Sequence, residues 1–201
     1  DLTDAVIINS NFAQADLTLA VLESAHVERS SFYEATLEAV SFEGAVLDYL
    51  NFIRADLVGQ DFSGVDLRGP LTLFDTDVRN VNLSGLDLHT SDLRGADLTG
   101  ADLSGTVLDR VEFDGATIWP KGVDLRGYDF SGQDLTAEVF LGADLRGVDF
   151  SGAILVHADL RNARLNGARL VDTNLDSANL VLADLTDAVI INSNFAQADL
   201  T

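Results

Sequence analysis

The 201-residue chain contains no cysteine, which excludes disulfides and thiolate metal sites and leaves the redox compartment open. It also lacks methionine, even at position 1. Residue 1 is therefore not expected to be the natural start of translation, and the chain reads as an excerpt or a processed product. No apolar run approaches the ~20 residues that span a bilayer, so no membrane partner is expected. Basic residues are scarce: 12 Lys and Arg against 33 Asp and Glu leave a net charge of −21. A phosphate backbone demands Lys and Arg, so direct nucleic-acid binding is not expected. The same charge favours solubility and leaves the acidic faces open to cationic partners, or to proteins that themselves bind DNA.

What the chain has instead is a period. Counting from Leu2, a Leu, Phe, Ile or Val recurs every five residues through Ile7, Phe12, Leu17, Leu22 and onward to Leu67. The register slips by one residue near Pro70, within 68–72, and resumes at Leu73. A second slip, of two residues, falls in Trp119-Pro120-Lys121-Gly122, and from Leu125 the count runs unbroken to Leu200. Two places before each of these central residues stands a small one, most often Ala, and one place before stands Asp or Asn, as in ADLTGADLSG at 96–105. A period of five fits neither a helix at 3.6 nor a strand at 2. It fits a solenoid in which each pentad forms one short side and turns a corner.

The spacing of phenylalanines indicates four sides per coil. Phe12, Phe32 and Phe52 are twenty apart, as are Phe42 and Phe62, and Phe130 and Phe150. If coils stack in register, these rings form core columns along inner faces, with Ala and Leu leaving room for them.

The A-(D/N)-L-X-X motif, repeated over essentially the whole chain, resembles the pentapeptide-repeat proteins. The resemblance implies an all-β fold, a right-handed quadrilateral parallel β-helix of about ten coils with four pentapeptides each. It also implies that the central residue and the small residue two before it point inward while the other three face solvent. Residues 1–201 are thus expected to form a single continuous solenoid.

One stretch occurs twice. DLTDAVIINSNFAQADLT fills residues 1–18 and again 184–201. The offset is 183 residues, or thirty-six pentads plus the three inserted residues, so pentad phase and face of the square are both restored. At ~4.8 Å between strands, nine coils advance about 43 Å. Either a natural array repeats a 183-residue unit, or the overlap was built in. Neither end shows an amphipathic helical cap, and open coil edges invite pairing. The chain is expected to be a piece of something longer, with end-to-end self-association as its partnership.

Candidate sites are weak. His26, His89 and His157 are expected to be solvated and too far apart to share a metal or a proton. No Ser combines with a His and an acid in a nucleophilic setting. Asp102, Asp124 and Asp144 are assigned to one face of three successive coils, and Asp56, Asp77 and Asp97 to an adjacent one. Like charges ~5 Å apart are expected to raise one another's pKa, and a hard cation such as Ca²⁺ would relieve that; screening by water, Arg126 and Arg146 is the favoured alternative. Outward apolar residues at Ile8, Tyr33, Tyr49, Ile53, Val58, Val171, Val181 and Ile191 would support lateral association if contiguous. Trp119, Pro120 and Lys121 are expected to bulge from a corner as a contact loop.

The favoured reading is a non-enzymatic structural solenoid with no cofactor, a segment of a fibre, sheath or surface array, in an extracellular or cell-surface setting rather than the cytoplasm. The alternative implied by the resemblance is an acidic DNA mimic that binds a type II topoisomerase and protects from fluoroquinolones. Members of that kind are typically dimers joined through a C-terminal helix, which this sequence does not show.

Overall fold

A computed structural model of the chain describes residues 1–108, 110–114 and 116–201. Among the described residues there is no helix, and every pairing between strands or bridges is parallel. The chain divides into two compact units, Asp1–Phe113 and Asp114–Thr201.

In the first unit, β1 (Val6–Ile8), β2 (His26–Glu28), β3 (Val46–Asp48) and β5 (Asp66–Leu67) form one sheet in that order, and β4 (Leu50–Asn51) pairs with β6 (Leu71–Thr72). The register is twenty residues between β1 and β2, with Ile7 opposite Val27. Three further ladders of single bridges start at Asn11, Asp16 and Val21, opposite Ser31, Thr36 and Ser41. Four ladders within twenty residues make four sides per coil. The slip near Pro70 appears as a register of twenty-one, with Leu50 opposite Leu71 and Asp56 opposite Asp77, and twenty is restored at Thr72 opposite Asp92.

In the second unit the ladders run from Asp124, Asp129, Asp134 and Val139 in steps of twenty, and β7 (Arg169–Val171) pairs with β8 (Val189–Ile191).

The pentad explains the local structure. After most central residues the chain turns, with the N–H of the residue three places on donating to the central carbonyl, as Ala15 does to Phe12 at 3.0 Å. The residue two places after the centre has positive φ, as in Gln14 and Gly44, the pattern of a type II turn. The Asp or Asn before the centre accepts the N–H two places on, as Asp16 Oδ1 does from Thr18 at 3.0 Å. This is the bond that makes Asp and Asn local turn-formers, and it accounts for their place in the motif. Where Ser or Thr replaces Ala, the hydroxyl takes over part of the turn's bonding. Ser30 Oγ accepts from the Ser10 N–H, and Thr173 Oγ1 donates to the Phe150 carbonyl.

Away from the last coil most inward residues are stripped of solvent, but Ile118, counted as one of them, is 46 % exposed and its neighbour Trp119 is buried instead. Phe32, Phe52, Phe130 and Phe150 are essentially fully buried, as are the inward alanines Ala35, Ala45 and Ala143. Rings twenty apart stack at 5.1 Å for Phe12 on Phe32 and Phe32 on Phe52, 5.2 Å for Phe42 on Phe62, and 5.1 Å for Phe130 on Phe150. Such offset stacks add to the burial itself.

Candidate functional site

The outward faces carry the charge, and several of their carboxylates are engaged by the same local device. A side chain two residues on lies on the same side of a strand, so Asp-x-Arg places a guanidinium against the carboxylate. Arg126 Nε and Nη2 reach the two oxygens of Asp124 at 2.8 and 2.7 Å, and Arg146 does the same to Asp144 at 2.7 and 2.7 Å. Arg79 on Asp77, Arg94 on Asp92 and Arg161 on Asp159 repeat the geometry.

This arrangement corrects the expectation that stacked carboxylates raise one another's pKa. Asp77, Asp124 and Asp144 are held below the usual carboxylate range, first by hydrogen bonds from the arginine two places on. Asp102 is lowered by the Ser104 side chain and its backbone N–H. Local donors outweigh the repulsion between rows.

Of the carboxylates considered as metal ligands, Asp124 and Asp144 are paired across adjacent coils of the second unit, while Asp102 belongs to the first unit and stands opposite Asn82. Arg164 Nη1 approaches Asp144 at 3.3 Å as well, so the pair is already ringed by cations. Among the described residues no group of three or more His, Cys, Asp or Glu is placed to hold a metal ion. In the other row, Asp56, Asp77 and Asp97 are consecutive bridge partners, and Arg79 lies between Asp77 and Asp97.

His26 stands 3.9 Å from Glu28 on β2. His89 lines a notch of about 220 Å³ with Tyr49, Arg68 and Pro70, where the first insertion turns the corner. A larger cleft of about 510 Å³ lies over Val40, Phe42, Glu43, Gln60 and Asp61. Of the outward apolar residues, Ile8, Tyr49, Val58 and Ile191 are exposed, Tyr33, Ile53, Val171 and Val181 half-buried. Val171 and Ile191 are adjacent across β7 and β8.

The expected contact loop is differently disposed. Trp119 is 5 % exposed, so its ring is packed inside rather than offered to a partner; Pro120 is half-buried and Lys121 exposed. A ring of that size holds more apolar area than a solvent-facing corner retains, and burial recovers it.

Sequence reasoning missed Glu138. It occupies the small inward place two before Phe140, where the next coil has Ala158 and the one after it Ala178. It is 1 % exposed, and neither carboxylate oxygen has a hydrogen-bond partner. Burial first, then the carboxylate of Asp114, push its pKa up to about 8, against a smaller opposing pull from the Trp119 indole. A Glu in the Ala register was the available signal.

The coils define a four-sided parallel β-solenoid built of five-residue turns, with no cleft that gathers catalytic groups among the described residues. The chain belongs to the pentapeptide-repeat family: the model of pentapeptide repeats matches eight copies, over residues 1–38, 30–69, 73–118, 121–152, 143–180 and 168–201. No curated protein matches the chain in sequence. Among solved structures it is similar to HetL, a pentapeptide repeat protein involved in heterocyst differentiation regulation from the cyanobacterium Nostoc sp. strain PCC 7120. The identity is 24 % over 98 % of this chain and 85 % of that one, with a TM-score of 0.33. It is also similar to the pentapeptide repeat protein Rfr23 from the cyanobacterium Cyanothece 51142, with 26 % identity over 59 % of this chain and 86 % of that one and a TM-score of 0.26. QnrB1, a plasmid-mediated fluoroquinolone resistance protein, gives 16 % identity over 94 % and 90 % and a TM-score of 0.27.

Proposed function

We propose that the chain is a non-enzymatic structural solenoid, a repeating segment of a longer array or filament whose units continue one another end to end. The observation that carries this reading is the behaviour of the duplicated stretch. In its first occurrence, the N–H groups of Leu2, Asp4, Asn9, Phe12, Gln14 and Leu17 donate to the coil that follows. In its second, those of Asp184, Val189, Asn194 and Asp199 donate to the coil that precedes. Carried across the 183-residue offset, the second set corresponds to Asp1, Val6, Asn11 and Asp16, none of which is in the first set.

One coil of this sequence therefore has a separate set of donors for a neighbour on each side. A parallel coil that serves both neighbours at once is an interior coil of a solenoid. When residues 1–18 of one copy stack on residues 184–201 of another, Asn11 falls over Asn194 and Phe12 over Phe195. This extends the Asn194 Nδ2 to Asn174 Oδ1 bond of 3.0 Å and the inner ring column by one step each. The outer Val171–Ile191 pair gains Ile8.

The test is sedimentation of the 201-residue chain beside Asn11→Pro. The Asn11 N–H takes no part in the pairing with Ser31, which uses the Ser10 carbonyl and the Phe12 N–H, so proline removes a backbone donor only from the side facing a preceding coil; Asn11→Ala, which loses the same Oδ1 acceptor for the Ala13 N–H but keeps the backbone donor, is the control. Concentration-dependent growth in the parent chain, reduced at least tenfold in the variant with unchanged circular dichroism, is the expected result. A chain that stays monomeric throughout, or growth indifferent to the substitution, overturns the reading. Topoisomerase inhibition by such a monomer would then point to the acidic faces as a surface for a protein partner.

A further inference from the structure

We propose that Glu138 is a proton-controlled latch: as a neutral acid it lets residues 116–120 close over the inner face of the second unit, and as a carboxylate it drives them off.

The geometry follows from the register. The inward small places of the coil after Glu138 are Ala143, Val148, Ala153 and Ala158, all buried. The coil that contains Glu138 has Val123, Tyr128, Gln133 and Glu138 in those places. Gln133 and Tyr128 are half-buried and keep contact with solvent. Glu138 does not: it is 1 % exposed, neither oxygen has a partner at hydrogen-bonding distance, and the groups acting on it are the Asp114 carboxylate and the Trp119 indole. Thr117 and Trp119, from the residues just before, are likewise buried at 3 % and 5 % exposure.

A carboxyl buried this deeply, with the Asp114 charge acting on it and only a weaker opposing pull from the Trp119 indole, is favoured as the neutral acid. The charged group acting on it is a like charge, the carboxylate of Asp114, and Thr117 Oγ1 and the Asp114 backbone N–H are engaged with one another at 3.1 Å rather than with Glu138. Arg161, one coil on, is turned outward onto Asp159, and Lys121 is exposed. Once ionised, Glu138 must reach water, and the Trp119 stretch beside it has to give way for that. Thr117 and Trp119 take inward places with Ile118 exposed between them, at the point where the pentad count breaks.

The single Trp of the chain is thus built into the moving part, and its emission reports the latch. The experiment is a fluorescence titration of the whole chain from pH 5 to pH 10, beside Glu138→Gln and Glu138→Ala. Gln keeps the shape without the charge, and Ala restores the usual small residue. The expected result is a red shift of Trp emission with a midpoint near 8 in the parent chain and a blue, pH-independent spectrum in both variants. Asp114→Asn should move the midpoint down. A parent spectrum unchanged over this range, or a transition that survives in Glu138→Gln, overturns the proposal.

Discussion

Replacing Glu138 by Gln should stabilise the chain, and by an amount that grows with pH. The carboxyl is pushed from its ordinary value of 4.5 up to about 8 in the fold. The sign follows from proton counting. Between those values the unfolded chain has released the proton that the native state still binds, so stability falls as pH rises. Each pH unit in that window costs about 1.4 kcal/mol, and the full interval sets an upper figure of about 5 kcal/mol by pH 8, a large share of a domain's stability. Below pH 4 both states are protonated and the contribution vanishes; above pH 8 both are ionised and the difference stays constant. Urea unfolding of the parent chain and Glu138→Gln at pH 5, 6, 7 and 8 isolates the effect, since every other titrating group is common to both. The gap between them should widen by about 1–1.4 kcal/mol per unit. Parallel pH profiles would refute the reasoning, because they would mean the carboxyl reaches water in the native state.

Three other outcomes follow from the same structure. Phe32 is stacked on both sides and fully buried, while Phe12 has a ring on one side and is half-buried, so Phe32→Ala should cost about 3–5 kcal/mol in urea unfolding and Phe12→Ala about half that; equal costs would deny the column its role. Gly95 has φ +69, and a Cβ there would run into the Asp75 carboxylate one coil earlier, so Gly95→Ala should lower stability by about 1–2 kcal/mol, checked by thermal melting. Asp184 is lowered to about 2, first by the Thr186 side chain; its contribution is present above the ordinary aspartate value and is lost as pH falls through 2, and carbon-detected NMR should show Thr186→Ala titrating nearer the ordinary range.

How much of this was legible in the sequence depends on where each residue's partners lie. The coil was readable because every side needs one large and one small inward residue, so Leu, Phe and Ala recur with the period of the backbone itself. The Phe12, Phe32 and Phe52 column was readable for the same reason, twenty residues being one circuit. The Asp rows were half readable. Counting puts Asp56, Asp77 and Asp97 in one ladder and Asp124 opposite Asp144, and screening by Arg126 and Arg146 is the favoured reading, but the two-point geometry of Asp-x-Arg pairs such as Asp144 and Arg146 shows only in the structure. Trp119 misled because the break in the count reads as a projection, whereas Trp119 takes an inward place, with Thr117 buried two before it and Ile118 exposed between them. Glu138 was hidden by the tolerance of the motif: a polar residue in the Ala register looks like variation until the depth of that place is known. Gln60, in the same register, is buried too, but its amide donates to the Leu37 carbonyl.

The central claim is that a coil with the sequence of residues 1–18 carries a neighbour on both sides. Electron microscopy of the protein from its native source, read for axial repeat, tests it most directly. The account predicts filaments with a repeat of about 43 Å if units share that coil, as in a covalent array, or about 48 Å if whole 201-residue chains stack. Discrete rods with no axial repeat at any concentration would contradict it.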